Sequence, residues 1–354
     1  MAFLKAAARP TDPKIVAKPD DLLVNPPTDS ISSISFSTQG DYLAVGSWDN
    51  TVSVYEVPNT RQAARRAVFH HQAPVLSVCW DKAGQNIISG SVDNTAQLFD
   101  CQTGQTRQVA QHEAPIRNVK WVETPGAGLL ATGSWDRTLK YWDLRTNQPA
   151  ATIHLPERCF SMDVRYPWLV AATADERCVI YNLNNPGTPF KYAAAPKKMQ
   201  TRVISINPVA SKVWYALGYV EGRVGIQYIE DQHASNDYSF KCHRQNSSPT
   251  KNDAALVYPV NDIAFHPVHG TFSTCGGDGH HAFWDGEKRT RSAILETAPA
   301  PIVAGAFNRT GAIYAYGVSY DWHRGYSGMT PGVPVQVKLH ACRAEETRPS
   351  LNKA

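Results

Sequence analysis

The chain has 354 residues, with 35 Lys or Arg against 31 Asp or Glu, for a net charge of +4 at pH 7. This mild excess suits an acidic partner without naming one. Hydrophobic residues make up 42%, including 9 Trp and 15 Tyr, so a large core can be built, yet no apolar run nears the ~18 residues of a membrane span.

The opening MAFLKAAARP lacks the apolar core of a secretory signal, and residues 1–19 mix Ala, Lys and Pro without period, as a flexible tail does. The 7 cysteines form no CxxC pair and mostly sit within apolar strand patterns such as LSVCW, which reads as free thiols in a reducing compartment. A nuclear or cytoplasmic protein without membrane insertion follows. Residues 22–25, a short apolar run before Pro26 and Pro27, are expected to close a ring of sheets as its last strand, because closure removes exposed edges.

From residue 31 a repeat takes over. SWDNTVSVYE, SVDNTAQLFD, SWDRTLKYWD, TADERCVIYN, YVEGRVGIQY, GGDGHHAFWD and SYDW share an acidic turn anchor at Asp49, Asp93, Asp136, Asp175, Glu221, Asp278 and Asp321. The acidic side chain accepts hydrogen bonds from its own turn backbone. Spacings of 39–57 residues between anchors lie around the period of WD-repeat blades. Each copy opens with an apolar strand, as at 31–36, 75–80, 116–121, 260–265 and 302–307, and more weakly at 160–164 and 203–206. A second and third strand flank the turn, and a more polar fourth strand follows at 67–70, 107–110 and 150–153. The expectation is an all-β, seven-bladed WD-repeat β-propeller over residues 20–343, closed by an N-terminal strand, with a C-terminal tail at 344–354. Residues 184–200, 243–256 and 322–333 read as long connections, where binding usually resides.

His112, Ser134, Asp136 and Trp142 have the order of a buried hydrogen-bonded chain joining strands, and His71 with Asp93 repeats it with Phe99 in place of Trp. A Ser–His–Asp hydrolase is disfavoured, since no nucleophile elbow is present. His70–His71, His280–His281 and His266 with His269 do not suggest metal, because adjacent strand residues point to opposite faces and no zinc-finger spacing exists. No cofactor, small-molecule substrate or enzymatic activity is expected.

Departures from the repeat are more informative. Two residues after the anchor, Thr51, Thr95 and Thr138 give way to Arg177, Arg223 and His280. Arg177 reads as a solvated arginine; Arg223, flanked by glycines, reads equally as solvated or as facing an anion. Between Phe283 and Arg291, Trp284 precedes three cations, a pattern that suits either a solvated charge run or contact with single-stranded nucleic acid.

The words DSISSISFS, HEAPIRNVKW, GSWDRTLKYWD, LPERCF, EGRVGIQYI, FKCHR, AFHPVHGT and SYDW span nearly the whole chain after residue 20. By them the sequence resembles the nuclear messenger-RNA export factor family, the WD-repeat partner of the GLFG-repeat nucleoporin. EGRV and FKCHR are shared with a sister, the mitotic-checkpoint propeller that binds checkpoint kinases; LPERCF, HPVHGT and SYDW favour the export factor. The resemblance implies a seven-bladed ring that binds an acidic GLEBS segment through Arg223 and Arg244, at the nuclear pore. It further implies contact with single-stranded RNA or messenger ribonucleoprotein through Phe265, Trp284, Asp285, Arg289 and Arg291. Gly286, Glu287, Lys288 and the His280–His281 pair depart from the family pattern.

Overall fold

Alternating apolar residues and acidic turns drive each repeat into four antiparallel strands, here called a to d. The computed structural model describes residues 20–124, 128–194, 199–246 and 255–349. Among these residues are seven four-stranded sheets and one two-stranded ribbon. Blade 1 runs through Ile31–Phe36, Tyr42–Ser47, Thr51–Glu56 and Ala64–His70. Each strand a contacts strand a of the next blade, and the seventh returns to the first, so the ring is closed. This is the expected seven-bladed propeller.

The pairing register sets which loops share an end. Ile31 lies opposite Ser47 and Thr51 opposite His70, so the b–c turns and the d–a links gather at one end of the ring, here the first end. The a–b and c–d turns gather at the second. At the b–c turns Asp49, Asp93 and Asp136 each accept bonds from the backbone and hydroxyl of the Thr two residues on. The residue between them, Asn50, Asn94 or Arg137, takes a left-handed φ of 65–69°, which Asn tolerates better than most residues.

The core is circular. Seven buried clusters each straddle two neighbouring blades, as Phe69 and Phe99 do where their rings stack at 4.8 Å. Glycines near the end of strand b leave room for this contact. A Cβ on Gly46 would meet Val75 at 2.9 Å, one on Gly90 would meet Ile116 at 2.7 Å, and one on Gly317 would meet Ile31 at 2.9 Å.

Blade 7 joins both halves of the sequence. Its strands Ile302–Phe307, Ile313–Val318 and Gln336–Ala341 are completed on the outside by Asp21–Leu22. The closing strand is thus shorter and one residue earlier than the expected 22–25. Leu23 N still donates to Val337 O, but Asn25 turns away with φ 51°. The join is held by charge: His340 Nδ1 lies 2.8 Å from Asp20 and its Nε2 lies 3.0 Å from Glu346. Tyr316 donates to the other oxygen of Asp20 at 2.7 Å. Glu346 belongs to a one-turn helix, Ala344–Thr347, and also accepts from Arg343. Residues 344–347, expected in a tail, therefore pack on the ring.

Two further expectations need correction. The 184–200 stretch holds strand d of blade 4, Pro189–Ala194, whose Pro and exposed Phe190 and Tyr192 mask the strand pattern. The fourth strands of blades 1 to 3 extend beyond the expected cores, to Ala64–His70, Thr106–Gln111 and Pro149–His154. The 1–19 tail, residues 247–254 of the 243–256 connection and residues 350–354 lie outside the described residues.

Candidate functional site

In blade 3 the buried chain is complete and its direction can be assigned. Trp142 Nε1 donates to Thr132 Oγ1 at 2.8 Å, that hydroxyl meets His112 Nε2 at 2.7 Å, and His112 Nδ1 meets Asp136 at 2.8 Å. A carboxylate only accepts, so Nδ1 carries the proton and Nε2 takes one from Thr132. Burial, opposed by Asp136, draws His112 below its ordinary value, which keeps the ring neutral at pH 7. Burial alone would raise Asp136, but hydrogen bonds from His112 and Thr138 take it well below the usual carboxylate range. The hydroxyl in the chain is Thr132, not Ser134. Ser134 is buried beside it, donating to Ala114 O and accepting from Asp136 N.

Blade 2 repeats the chain with His71, Ser89 and Asp93, without an indole. Blade 6 repeats it in full, as His243, Asp278, Thr274 and Trp284. Sequence reasoning missed this set because His243 lies 35 residues before its Asp, against 24 in blade 3. The added length is the ribbon Arg244–Asn246 with Ala255–Val257 and the segment between its strands.

That ribbon brings the two implied peptide-binding arginines to one turn. Arg223 begins strand c of blade 5, opposite Tyr219 and Lys241, at the first end. Arg244 reaches back to the turn just before it, donating from Nη2 to Glu221 O at 2.8 Å and from Nε to Gly222 O at 3.3 Å. Gly222 has φ 60°, and a Cβ there would lie 2.8 Å from Cys242 O and 3.0 Å from Tyr258 O. The turn is thus packed against the ribbon's root and admits no side chain. Arg223 is half-buried, and its guanidinium has no hydrogen bond or ion pair among the described residues. Arg177, by contrast, lies 3.3 Å from the carboxylate of Asp175.

The residues implied in RNA contact gather elsewhere, around the a–b and c–d turns of blade 6 at the second end. Phe265 faces Phe272 across the a–b turn, and Asp285 faces Thr290 across the c–d turn. Arg289, Arg291 and Lys288 are exposed there. Arg289 lies 4.4 Å over the Tyr238 ring, and Arg291 lies 5.9 Å from the Trp284 ring. Trp284 is less free than a stacking platform would be. Its N–H is committed to Thr274, and Phe240 packs on it at 4.4 Å. Asp285 is buried and accepts from Lys288 N. Phe265 packs on Trp214 at 5.2 Å. The seven implied residues therefore gather in two places, at opposite ends of adjacent blades.

Seven sheets in a closed ring, pinned by Trp–Thr–His–Asp chains, define a WD-repeat β-propeller. The WD domain, G-beta repeat family matches residues 23–56, 64–100, 104–143 and 256–285. The Poly(A)+ RNA export protein of Schizosaccharomyces pombe is 46% identical over 337 residues, covering 95% of this chain and 94% of that protein. The mRNA export factor GLE2 of Chaetomium thermophilum is 43% identical over 342 residues, covering 95% and 94%. Protein Rae1 of Drosophila melanogaster is 41% identical over 335 residues, covering 93% and 96%. The chain belongs to this messenger-RNA export factor family.

Proposed function

We propose that the chain is a non-enzymatic adaptor that docks on an acidic GLEBS segment of a GLFG-repeat nucleoporin at the nuclear pore and supports messenger-RNA export. The names of its relatives support the export role. The turn that holds Arg223 and Arg244 supports the docking role. A half-buried arginine with no partner among the described residues, beside a second one held on the backbone, offers charge-assisted bonds to paired carboxylates. Nuclear and nuclear-envelope localisation follows from that partner.

Pull-down and calorimetry with a GLEBS peptide test this reading. Arg244→Glu and Arg223→Glu are each expected to weaken binding by about 2–5 kcal/mol. Undiminished binding by both variants would remove the site. Recovery of checkpoint kinases in place of pore proteins from cells would move the chain to the sister pathway.

A second contact, with single-stranded RNA, is proposed for the exposed Lys288, Arg289 and Arg291 beside Trp284 and Tyr238. Affinity should fall steeply with salt. Arg289→Ala with Arg291→Ala should flatten the log–log slope by about 1.4, from roughly 0.7 per phosphate contact. Salt-independent affinity measured by fluorescence anisotropy would sink the RNA contact.

A further inference from the structure

All seven inner strands carry a bulge near the first end, where the pairing register skips one residue. A bulge re-aims the skipped side chain. Six of the skipped residues, Ser32, Leu76, Arg117, Arg202, Asn261 and Val303, line a cavity of about 460 Å³. Four are neutral, but blades 3 and 5 supply arginines. Arg117 Nη1 donates to Leu76 O at 3.2 Å, and Arg202 Nη2 donates to Asp321 O at 2.9 Å. Among the described residues neither guanidinium has a carboxylate within ion-pair distance. Burial, and then repulsion from Arg202, holds Arg117 below its ordinary value.

The carboxylates facing the same cavity are partly occupied. Asp262 accepts from Ile263 N and Gly305 N, and Lys120, also on the lining, is paired with Asp163 at 2.8 Å. The Asp321 carboxylate meets His323 Nδ1. On the same lining, the indole N–H groups of Trp135 and Trp322 are buried without an acceptor. Asn261 Oδ1 and Asp321 Oδ2 are buried without a donor.

We propose that the first-end mouth of the channel binds a phosphate group. Two guanidinium forks, each holding one backbone carbonyl and no carboxylate, keep donors for its ionised oxygens. A phosphate brings a second charge and a third acceptor oxygen to this pair, which a simple carboxylate lacks. Phosphate is held here by side chains of the inner strands, apart from the turn of blade 5.

Inorganic phosphate is titrated into the full chain at constant ionic strength, with tryptophan emission as the readout and acetate and chloride as controls. A saturable change with phosphate alone is expected, and Arg117→Gln with Arg202→Gln should weaken it by about tenfold or more. Should the double variant fail to fold, Arg202→Gln alone is expected to weaken it several-fold. Broadening of the phosphorus resonance of phosphate by the unaltered chain gives a second readout. An equal response to acetate, no saturable response in the unaltered chain, or unchanged affinity in a folded variant overturns the proposal.

Discussion

Asp136→Ala is expected to lower the stability of the ring by about 3–5 kcal/mol, from the loss of one partner of a buried hydrogen-bonded network. The carboxylate is the main acceptor at the end of the blade 3 chain, with the Thr138 hydroxyl oxygen a second one 3.0 Å from His112 Nδ1. Its removal orphans the backbone N–H groups of Glu113 and Thr138 and the Thr138 hydroxyl proton, and leaves His112 Nδ1 only the longer contact to Thr138 Oγ1. His112 is 1% exposed, so water cannot replace the lost partner without opening the blade. Urea unfolding followed by tryptophan emission measures the effect. Asp143→Ala, seven residues on and bonded to solvent-facing Arg145, should leave the midpoint in place. An Asp136→Ala midpoint equal to that control would show that the chain is decorative.

His340→Ala is expected to cost about as much, roughly 3–5 kcal/mol, because it strips the cation from between the buried carboxylate of Glu346 and the half-buried one of Asp20. Burial would push His340 down, but its bonds to Asp20 and Glu346 carry it to about 9. Its folded pKa lies above the ordinary 6.5, so its contribution is complete below 6.5 and is lost as pH rises through about 9. For Asp20 and Glu346 burial acts upward, but hydrogen bonds, His340 first among them, hold both below their ordinary values of 3.8 and 4.5. Their contribution is therefore present above those values and lost as pH falls beneath them. The closure of blade 7 should be firmest between about pH 4.5 and 6.5. Unfolding midpoints measured from pH 5 to 10 should show an alkaline decline in the unaltered chain that His340→Ala lacks. Parallel pH profiles for the two chains would refute the assignment.

Much of this architecture is legible in the chain because its acidic turn repeats. An Asp that accepts from its own backbone marks a corner whatever surrounds it, so Asp49, Asp93 and Asp136 locate blades unaided. Side-chain partners are harder, since they depend on strand register. Ser134 and Thr132 are two apart on one strand face, and only the pairing shows that Thr132 meets both His112 and Trp142. An inserted ribbon hides His243 from its Asp278.

Solvation is also hard to read from residue types. Trp284 beside three cations looks like an open surface, yet its indole serves Thr274 and lies under Phe240. The arginines of the channel escaped notice for a related reason. A bulge shifts the in–out phase by one residue, so Arg117 and Arg202 read as outward polar positions of inner strands. Arg244 shows the converse: nothing in the repeat singles it out, and only the ribbon's return to Glu221 and Gly222 brings it beside Arg223.

The latch on blade 7 also bears on how the protein is made. During translation Asp21 and Leu22 emerge early, but their partners Leu339 and Lys338 emerge some three hundred residues later. Leu23 and Ile31 share a core with Val337 and Leu339, so that apolar surface stays uncovered while six blades assemble. Exposed apolar strands of this kind are what chaperones bind. The nascent chain thus has its longest exposure at the seam that fastens it, and the ring can shut only once Gln336–Ala341 has emerged, however complete the other blades are.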